Sequence, residues 1–410
     1  MDKIEYRTWA EIDLDKLQRN LQRLRGVLGP DHKIMEVLKA DAYGHGLRMC
    51  SRYAAPLVDW FAVATLPEGL VAREEAPQTP ILIFGALLDH EVVEAAESRL
   101  TINVFSVEYA RHVAALVEKE GLTIDVHIKV DTGMNRLGLT ARVGHTDEAV
   151  AQAEEILRMK ALHVTGIYTH FACADTDDPS DEAFSRDQFQ AYIDVCNTLK
   201  EKGWDIGLRH CASTGGLQCY PEFRMDMVRV GMWALGQNIG EKATLQYGLE
   251  PIMQWYSRII DIRPVAEGDT VSYARTYKTD RASRMAVVSV GYADGYSRAY
   301  SNKTHAIIRG KKVPLRGRIC MDFLFADVTD LPEASVGDPV MLLGKNGDQW
   351  ISPDSLLEYI AGNTNGGVTA EINFRVPRVY VSNGQVVDVT KVSYDLEYGS
   401  QTEKEDAQLA

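Results

Sequence analysis

Over residues 1–235, short apolar runs alternate with longer stretches whose apolar positions recur every three or four residues. The short runs read as strands at Ile34–Lys39, Phe61–Thr65, Ile81–Gly85, Thr101–Phe105, Ile124–Asp131, Leu162–His170, Ile206–Ala212 and Met227–Gly231. Between them lie amphipathic segments such as Glu91–Ser98, Ala110–Glu120, Thr146–Met159 and Arg186–Lys202, with Asp147 and Asp187 as helix-start acids. Eight strands alternating with helices match the count of a (β/α)8 barrel. A doubly wound open sheet is the second choice, and it calls for a G-x-G-x-x-G turn after the first strand that the chain does not contain.

The run Ile124–Asp131 alternates strictly. Ile124, Val126, Ile128 and Val130 share one face; Asp125, His127, Lys129 and Asp131 share the other. In a barrel the apolar face meets the helices and the polar face lines the interior, where charges need partners or a site.

Past Gly236 the pattern changes. Strand-like runs follow closely at Ile252–Val265, Thr270–Tyr273, Met285–Tyr292, Ala306–Arg309, Leu315–Val328, Pro339–Leu343 and Ile372–Val381. Turn signals separate them, among them Lys345-Asn-Gly347 and Asn383-Gly384, and only Ser355–Ala361 reads as helix. The reading is therefore α/β: an N-terminal (β/α)8 TIM barrel over residues 1–240, with residues 1–12 able to pair with the second domain. A mostly-β C-terminal domain follows over 241–395, then a disordered tail over 396–410.

Composition narrows the function. At 410 residues, 45% hydrophobic and 25% charged, the chain has the make-up of a soluble enzyme of two domains. A net charge of -14 argues against nucleic acid or an anionic membrane as partner. No run approaches a membrane span, and the polar start lacks a signal-peptide core. Cys50, Cys173, Cys196, Cys211, Cys219 and Cys320 form no C-x-x-C pair, and no H-E-x-x-H is present. Reduced thiols, no metal site and a cytoplasmic location are the expectation.

Chemistry collects at the strand ends. The first strand closes on Lys39-Ala-Asp-Ala-Tyr43-Gly-His-Gly46, a lysine beside a Gly-rich turn. Such a lysine suits a Schiff base to pyridoxal 5'-phosphate (PLP), with backbone N–H groups free for the phosphate. The fifth strand carries Lys129 and runs on to Arg136. The sixth ends in His170, the seventh in His210 to Ser213-Thr214-Gly-Gly, and the eighth in Arg229-Val-Gly231. Together they offer partners for a phosphate, a pyridine ring and a carboxylate.

These residues carry a resemblance. Val37-Leu-Lys39-Ala-Asp-Ala-Tyr43-Gly-His-Gly resembles the PLP-lysine signature of alanine racemases. So do Lys129-Val-Asp-Thr-Gly-Met-Asn-Arg136-Leu-Gly and Tyr168-Thr-His170-Phe-Ala. Val271-Ser-Tyr273, Val290-Gly-Tyr292-Ala-Asp-Gly295, Gly317-Arg-Ile-Cys-Met321-Asp322 and Arg375-Val-Pro-Arg378 continue it in order, so that it spans the chain to about Val389. The resemblance implies a fold-type III PLP enzyme that works as a homodimer with shared active sites. It implies that Lys39 binds PLP and is one base, and that Tyr273 of the other subunit is the second. By the same resemblance Arg136 would face the substrate carboxylate, and a carbamylated Lys129 would orient it. Arg229 faces the pyridine nitrogen, and His170 bonds Arg229. Tyr43, Ser213, Thr214, Gly231 and Met232 hold the phosphate end. Met321 binds the substrate carboxylate through its N–H, with Tyr292 and Asp322 around the same entrance. Racemisation wants a base on each face of Cα. Tyr and Lys ordinarily titrate near 10, so both need cationic or desolvated surroundings.

Three positions depart from the family pattern. Asp41 and Ser213 stand where Asn is usual, and Gly366-Gly367 stands where a Tyr-Glu pair is usual. Gly366 removes a bulky wall and predicts a roomier pocket that admits serine or a larger side chain. A serine or broad-specificity racemase is thus the alternative. A PLP decarboxylase or a non-catalytic PLP-binding protein ranks lower, because Arg229 is no acid and the second domain is present.

Overall fold

The computed structural model describes residues 5–176, 178–237, 247–360 and 364–390. The expected boundary at 240/241 and the expected tail lie outside them.

Strand β1 (Thr8–Asp13) leads through a capped helix, Leu14–Leu28, into the barrel. Asp13 caps that helix by accepting from Lys16 N–H at 2.9 Å, and Leu14, Leu17, Leu21, Leu24 and Leu28 form its buried stripe. The barrel strands are β2 (Lys33–Val37), β3 (Trp60–Val63), β4 (Ile81–Ile83), β5 (Thr101–Val104), β6 (Ile124–Asp131), β8 (Leu162–Tyr168), β9 (Leu208–His210) and β10 (Met227–Val230). The short β7 (Leu139–Thr140) lies beside β6. All eight barrel strands are parallel, in the order β10-β2-β3-β4-β5-β6-β8-β9. The ring is nearly closed. Between β9 and β10, two backbone bonds, Asp226 N–H to Arg209 O (3.1 Å) and Arg229 N–H to Ala212 O (3.0 Å), span the remaining gap.

Alternation along the strands sorts the two faces. Ile34, Phe61, Ile81, Ile102, Val126 and Val228 pack outward against the helices. Inside, one half of the barrel is apolar, filled by Met35, Val37, Trp60, Ala62, Leu82 and Met227. The other half holds Asn103, His127, Lys129, Tyr168 and His210, all buried. The polar face read on β6 is therefore the interior face, except that Asp125, at the strand's start, is exposed and paired with His163.

The second domain is a ten-stranded sheet running Lys311–Pro314, His305–Ile308, Pro339–Asn346, β11 (Met253–Val265), β1, Arg378–Ser382 and Gln385–Val389, with Ser283–Val288 bridging β11 to Leu324–Asp327. β1 sits in its middle, antiparallel to β11 and parallel to Arg378–Ser382. The start of the chain is thereby fastened to its end.

Several expectations need correction. Asp187 lies inside the helix Pro179–Glu201, whose N-cap is Asp178, with Pro179 at its first position. Only Leu324–Asp327 of the expected 315–328 strand is extended; the preceding loop turns back to meet 291–293 through Tyr292 N–H to Cys320 O (3.1 Å) and Ala293 N–H to Met321 O (3.0 Å). Residues 365–370 form a second helix in this domain, Asn365–Ala370, capped by Thr364 accepting from Gly367 N–H at 3.1 Å.

Candidate active site

Lys39 is not the last residue of its strand. β2 ends at Val37, and Ala40, Asp41, Ala42 and Tyr43 follow in left-handed conformation, with φ of 54°, 53°, 52° and 52°. Four such non-glycine residues in a row cost roughly 1–2 kcal/mol each. Their surroundings hold them there. Ala40 N–H donates to Glu68 Oε1 at 2.6 Å, Ala42 N–H to Leu38 O at 2.8 Å and Gly46 N–H to Asp41 O at 2.9 Å. Asp41 Oδ1 accepts from Leu47 N–H at 2.7 Å, so this carboxylate is engaged with the next helix (Leu47–Ala54). His45 Nδ1 lies 2.9 Å from Ala42 O and 3.1 Å from Tyr43 O and must be the protonated ring nitrogen.

The turn delivers Lys39 and Tyr43 to a cavity of about 450 Å³ at the C-terminal ends of the barrel strands. Lys129, Arg136, His170, Ser213, Thr214, Arg229, Gly231 and Met232 line the same cavity, with Asn103, Tyr168 and Asp175. Its charged lining is thus Lys39, Lys129, Arg136 and Arg229 against one carboxylate, Asp175. Burial, then the Arg136 charge, lowers the Lys39 amine below its ordinary range. Burial and the nearby Arg229 bring Lys129 down to about 7. Its Nζ donates to Val130 O at 2.9 Å. Asp131 shapes the Arg136 loop by accepting from Gly133 N–H (2.8 Å) and Arg136 N–H (3.0 Å).

Arg229 is the centre of the polar interior. Its Nη2 donates to Thr169 O (2.9 Å), Cys211 O (2.9 Å) and His170 Nδ1 (3.0 Å), and its Nη1 to His210 Nδ1 (3.1 Å). A guanidinium has no acceptor, so both histidines accept at Nδ1 and carry their proton on Nε2. His210 Nε2 then donates to His127 Nδ1, 2.9 Å away. Burial first, then neighbouring cations, keeps all three imidazoles neutral: His127 falls to about 3, and His170 and His210 lie well below the ordinary range. The Tyr168 ring stacks on His210 at 4.8 Å. His127 was given no role, and His210 was noted only as the close of the seventh strand. The alternation on β6 and the strand end at His210 placed both inside, but nothing in the motifs shows that they join into one chain.

The family model for the alanine racemase N-terminal domain matches residues 12–238, and that for the C-terminal domain matches 252–380. The chain belongs to the alanine racemase family. It is 37% identical over 374 residues to the alanine racemase of Halothermothrix orenii, covering 91% of this chain and 96% of that one. With alanine racemase 2 of Caldanaerobacter subterraneus it shares 34% over 383 residues, 93% and 97% of the two chains. The solved alanine racemase of Clostridium difficile 630 superposes with a TM-score of 0.87 at 31% identity, over 95% of this chain and 100% of that one. The Bacillus anthracis alanine racemase with bound L-Ala-P gives 0.85 at 30%, over 95% and 98%. The enzyme is accordingly an amino-acid racemase of a family that is generally PLP-dependent. Among its described residues no helix is long and apolar enough to cross a membrane.

The alanine racemase motifs of the second domain lie apart from this cavity. Tyr273 is 65% exposed, Met321 51% and Tyr292 41%, and none of them lines it. Asp322 bonds Arg375 at 2.7 Å on the same surface. Gly366 stands behind Tyr43: a Cβ there would lie 2.9 Å from Tyr43 Cδ1. The space gained at Gly366 is therefore filled by the Tyr43 ring.

The cavity fits PLP on its own chemistry. An amine kept from easy protonation faces it, and cations outnumber carboxylates around it, which suits a phosphate and a phenolic oxygen. Gly231 leaves room for Tyr43, since a Cβ there would meet its hydroxyl at 2.9 Å.

Proposed function

We propose that this enzyme interconverts L- and D-alanine with PLP as cofactor, as a homodimer whose sites are completed by the partner's second domain. One observation carries the reading. Lys39 lines a cation-rich cavity at the strand ends, while Tyr273, Tyr292 and Met321 stand exposed and, among the described residues, line no part of it.

Lys39 Nζ would hold the cofactor, and Tyr43, Ser213, Thr214, Gly231 and Met232 its phosphate end. Bound there, PLP supplies an electron sink that acidifies the α C–H of the attached amino acid. Arg229 is assigned to the pyridine nitrogen. A guanidinium donates and keeps its proton, so that nitrogen remains an acceptor and the sink stays moderate. This disfavours decarboxylation and transamination. His170 and His210 orient Arg229, and both stay neutral beside it.

The chain's own work is to move one proton off Cα and one back on. Lys39 Nζ serves one face, and Tyr273 Oη of the partner serves the other. Arg136 binds the carboxylate side, together with the Met321 N–H of the partner. Lys129, a buried amine brought down to about 7, is poised to be neutral and to add CO2, giving a carbamate and releasing a proton. The carbamate would give Arg136 the anionic partner that it lacks among the described residues. With the Tyr43 ring in the space left by Gly366, that glycine opens no extra room, and serine is expected only as a second, weaker substrate. A methylene-sized difference changes discrimination by only ~1–3 kcal/mol, and the Tyr43 ring behind Gly366 keeps alanine preferred. All six cysteines are free, in keeping with a cytoplasmic enzyme.

Assays resolving the enantiomers of alanine and serine test this. Lys39→Ala and Tyr273→Ala should each lose activity by about a hundred- to ten-thousandfold, as expected on removing an acid–base group. Full activity of either variant in both directions would exclude the two-base assignment.

A further inference from the structure

The second domain presents Tyr292, Met321 and Asp322 from two loops locked together at their backbones. Besides the bonds to Cys320 O and Met321 O, Gly291 approaches so closely that a Cβ there would lie 2.3 Å from both of those oxygens. Behind the loops lies the carboxylate of Asp294, wholly buried. It accepts from Gly291 N–H at 3.0 Å and from both terminal nitrogens of Arg7, Nη1 at 3.0 Å and Nη2 more closely. Arg7 Nη1 also donates to Ser289 O at 3.0 Å. On its other side Asp294 faces Arg375 Nε at 3.6 Å, and Arg375 Nη2 donates to Asp322 Oδ1 at 2.7 Å. A row of alternating charge, Arg7, Asp294, Arg375, Asp322, thus runs from the segment before β1 to the residue next to Met321.

Arg375 in this row faces both the Asp294 and the Asp322 carboxylates. A buried carboxylate left short of charge costs far more than an exposed one. With Arg7 bound, Asp294 is satisfied by a bidentate guanidinium, and Arg375 is left to hold Asp322. Without Arg7, Asp294 competes for Arg375, and Asp322 loses the anchor that sets the Met321 loop.

We propose that Arg7 is a positioning residue for the amino-acid site of the partner subunit. Through Asp294 and Arg375 it fixes Asp322, and with it the Met321 N–H. The inference rests on the reading above that Met321 serves the partner.

Mixed dimers purified with two different tags decide it. In one, a single subunit carries both Arg7→Ala and Lys39→Ala; the sole competent cavity, in the unaltered subunit, then meets loops lacking Arg7. In the other, one subunit carries Arg7→Ala and its partner Lys39→Ala; the competent cavity then meets loops with Arg7 intact. The first should show a KM for alanine raised about tenfold with kcat within about twofold, since a displaced Met321 N–H weakens one hydrogen bond to the substrate carboxylate. The second should match a dimer bearing Lys39→Ala alone. Arg7→Lys, which keeps the charge, should restore most of the KM in the first arrangement, and Arg7→Gln, which removes the charge, serves in place of Arg7→Ala should that variant fold poorly. An unchanged KM in both arrangements overturns the role of Arg7 and leaves the shared-site reading standing. A KM raised only in the second arrangement overturns the shared-site reading and this inference with it. Equal losses of kcat in both would mark a merely structural arginine and overturn the inference alone.

Discussion

Glu36 is one residue at which the chain works against its own stability. It shares the outward face of β2 with Ile34, is wholly buried, and neither carboxylate oxygen has a hydrogen-bond partner among the described residues. Burial raises its pKa from 4.5 to about 8. The sign follows from linkage. Between those values the unfolded chain has lost a proton that the folded chain retains, so stability falls as pH rises from 4.5 toward 8 and levels off above. Glu36→Met should therefore raise the unfolding free energy by roughly 3 kcal/mol more at pH 7 than at pH 4.5, from about 1.4 kcal/mol per pKa unit. Urea unfolding of the holoenzyme at the two pH values measures it, and a gain independent of pH would refute the titration. Lys129 is the opposite case. It too is buried, with no ion pair among the described residues, yet it lines the cavity, where a neutral amine has a use.

At the scale of elements, the left-handed turn after Lys39 decides most. The run Ala40 to Tyr43 contains no residue that prefers positive φ, so the turn is imposed by groups far along the chain. Glu68, from the helix Leu66–Glu75, holds Ala40, and the helix Asn365–Ala370 closes over the motif's first glycine. A Cβ at Gly44, where φ is +82°, would lie 2.1 Å from Thr369 O. Gly44→Ala should destabilise the protein by more than about 3 kcal/mol and loosen PLP, because the clash must part the turn from that helix. Thermal unfolding with and without PLP checks this, and an unaltered cofactor affinity would separate the turn from the site. The same distance in sequence explains what could be read beforehand. Lys39, Arg136, His170 and Arg229 were legible because each lies at or just beyond the C-terminal end of a patterned strand. The turn geometry, the His210 to His127 bond and the helix over Gly366 were not. The first two depend on partners set by closure of the barrel, and the third is a helix whose Gly-Gly start gives no apolar period.

At the scale of the whole molecule, β1 joins the two domains more firmly than sequence order suggests. Placed between β11 and Arg378–Ser382, it ties the barrel's entry helix to the sheet that carries Tyr273 and Met321. The barrel and that sheet therefore have little freedom to bring Tyr273 over Lys39 of the same chain. Tyr273 sits at the start of a tight turn, between Ser272 and Ala274 with φ of 65° and 59°, and projects 65% exposed from the domain. A second copy meeting this surface would bury the exposed aromatic residues and supply the missing base at once, whereas a monomer would keep a one-base site. Two inactive variants should then repair each other. In a mixture of Lys39→Ala and Tyr273→Ala proteins, dissociated and reassociated together, half of the dimers are mixed if pairing is random. Each mixed dimer has one cavity with Lys39 intact facing an intact Tyr273, and its other cavity lacks both bases. With one competent cavity among four, the mixture should regain about a quarter of the wild-type rate per subunit, a value set by counting sites and independent of the variants' residual activity. Recovery that tracks the extent of subunit exchange supports the shared site. Complete exchange without recovery would place both bases in one chain and require the second domain to move.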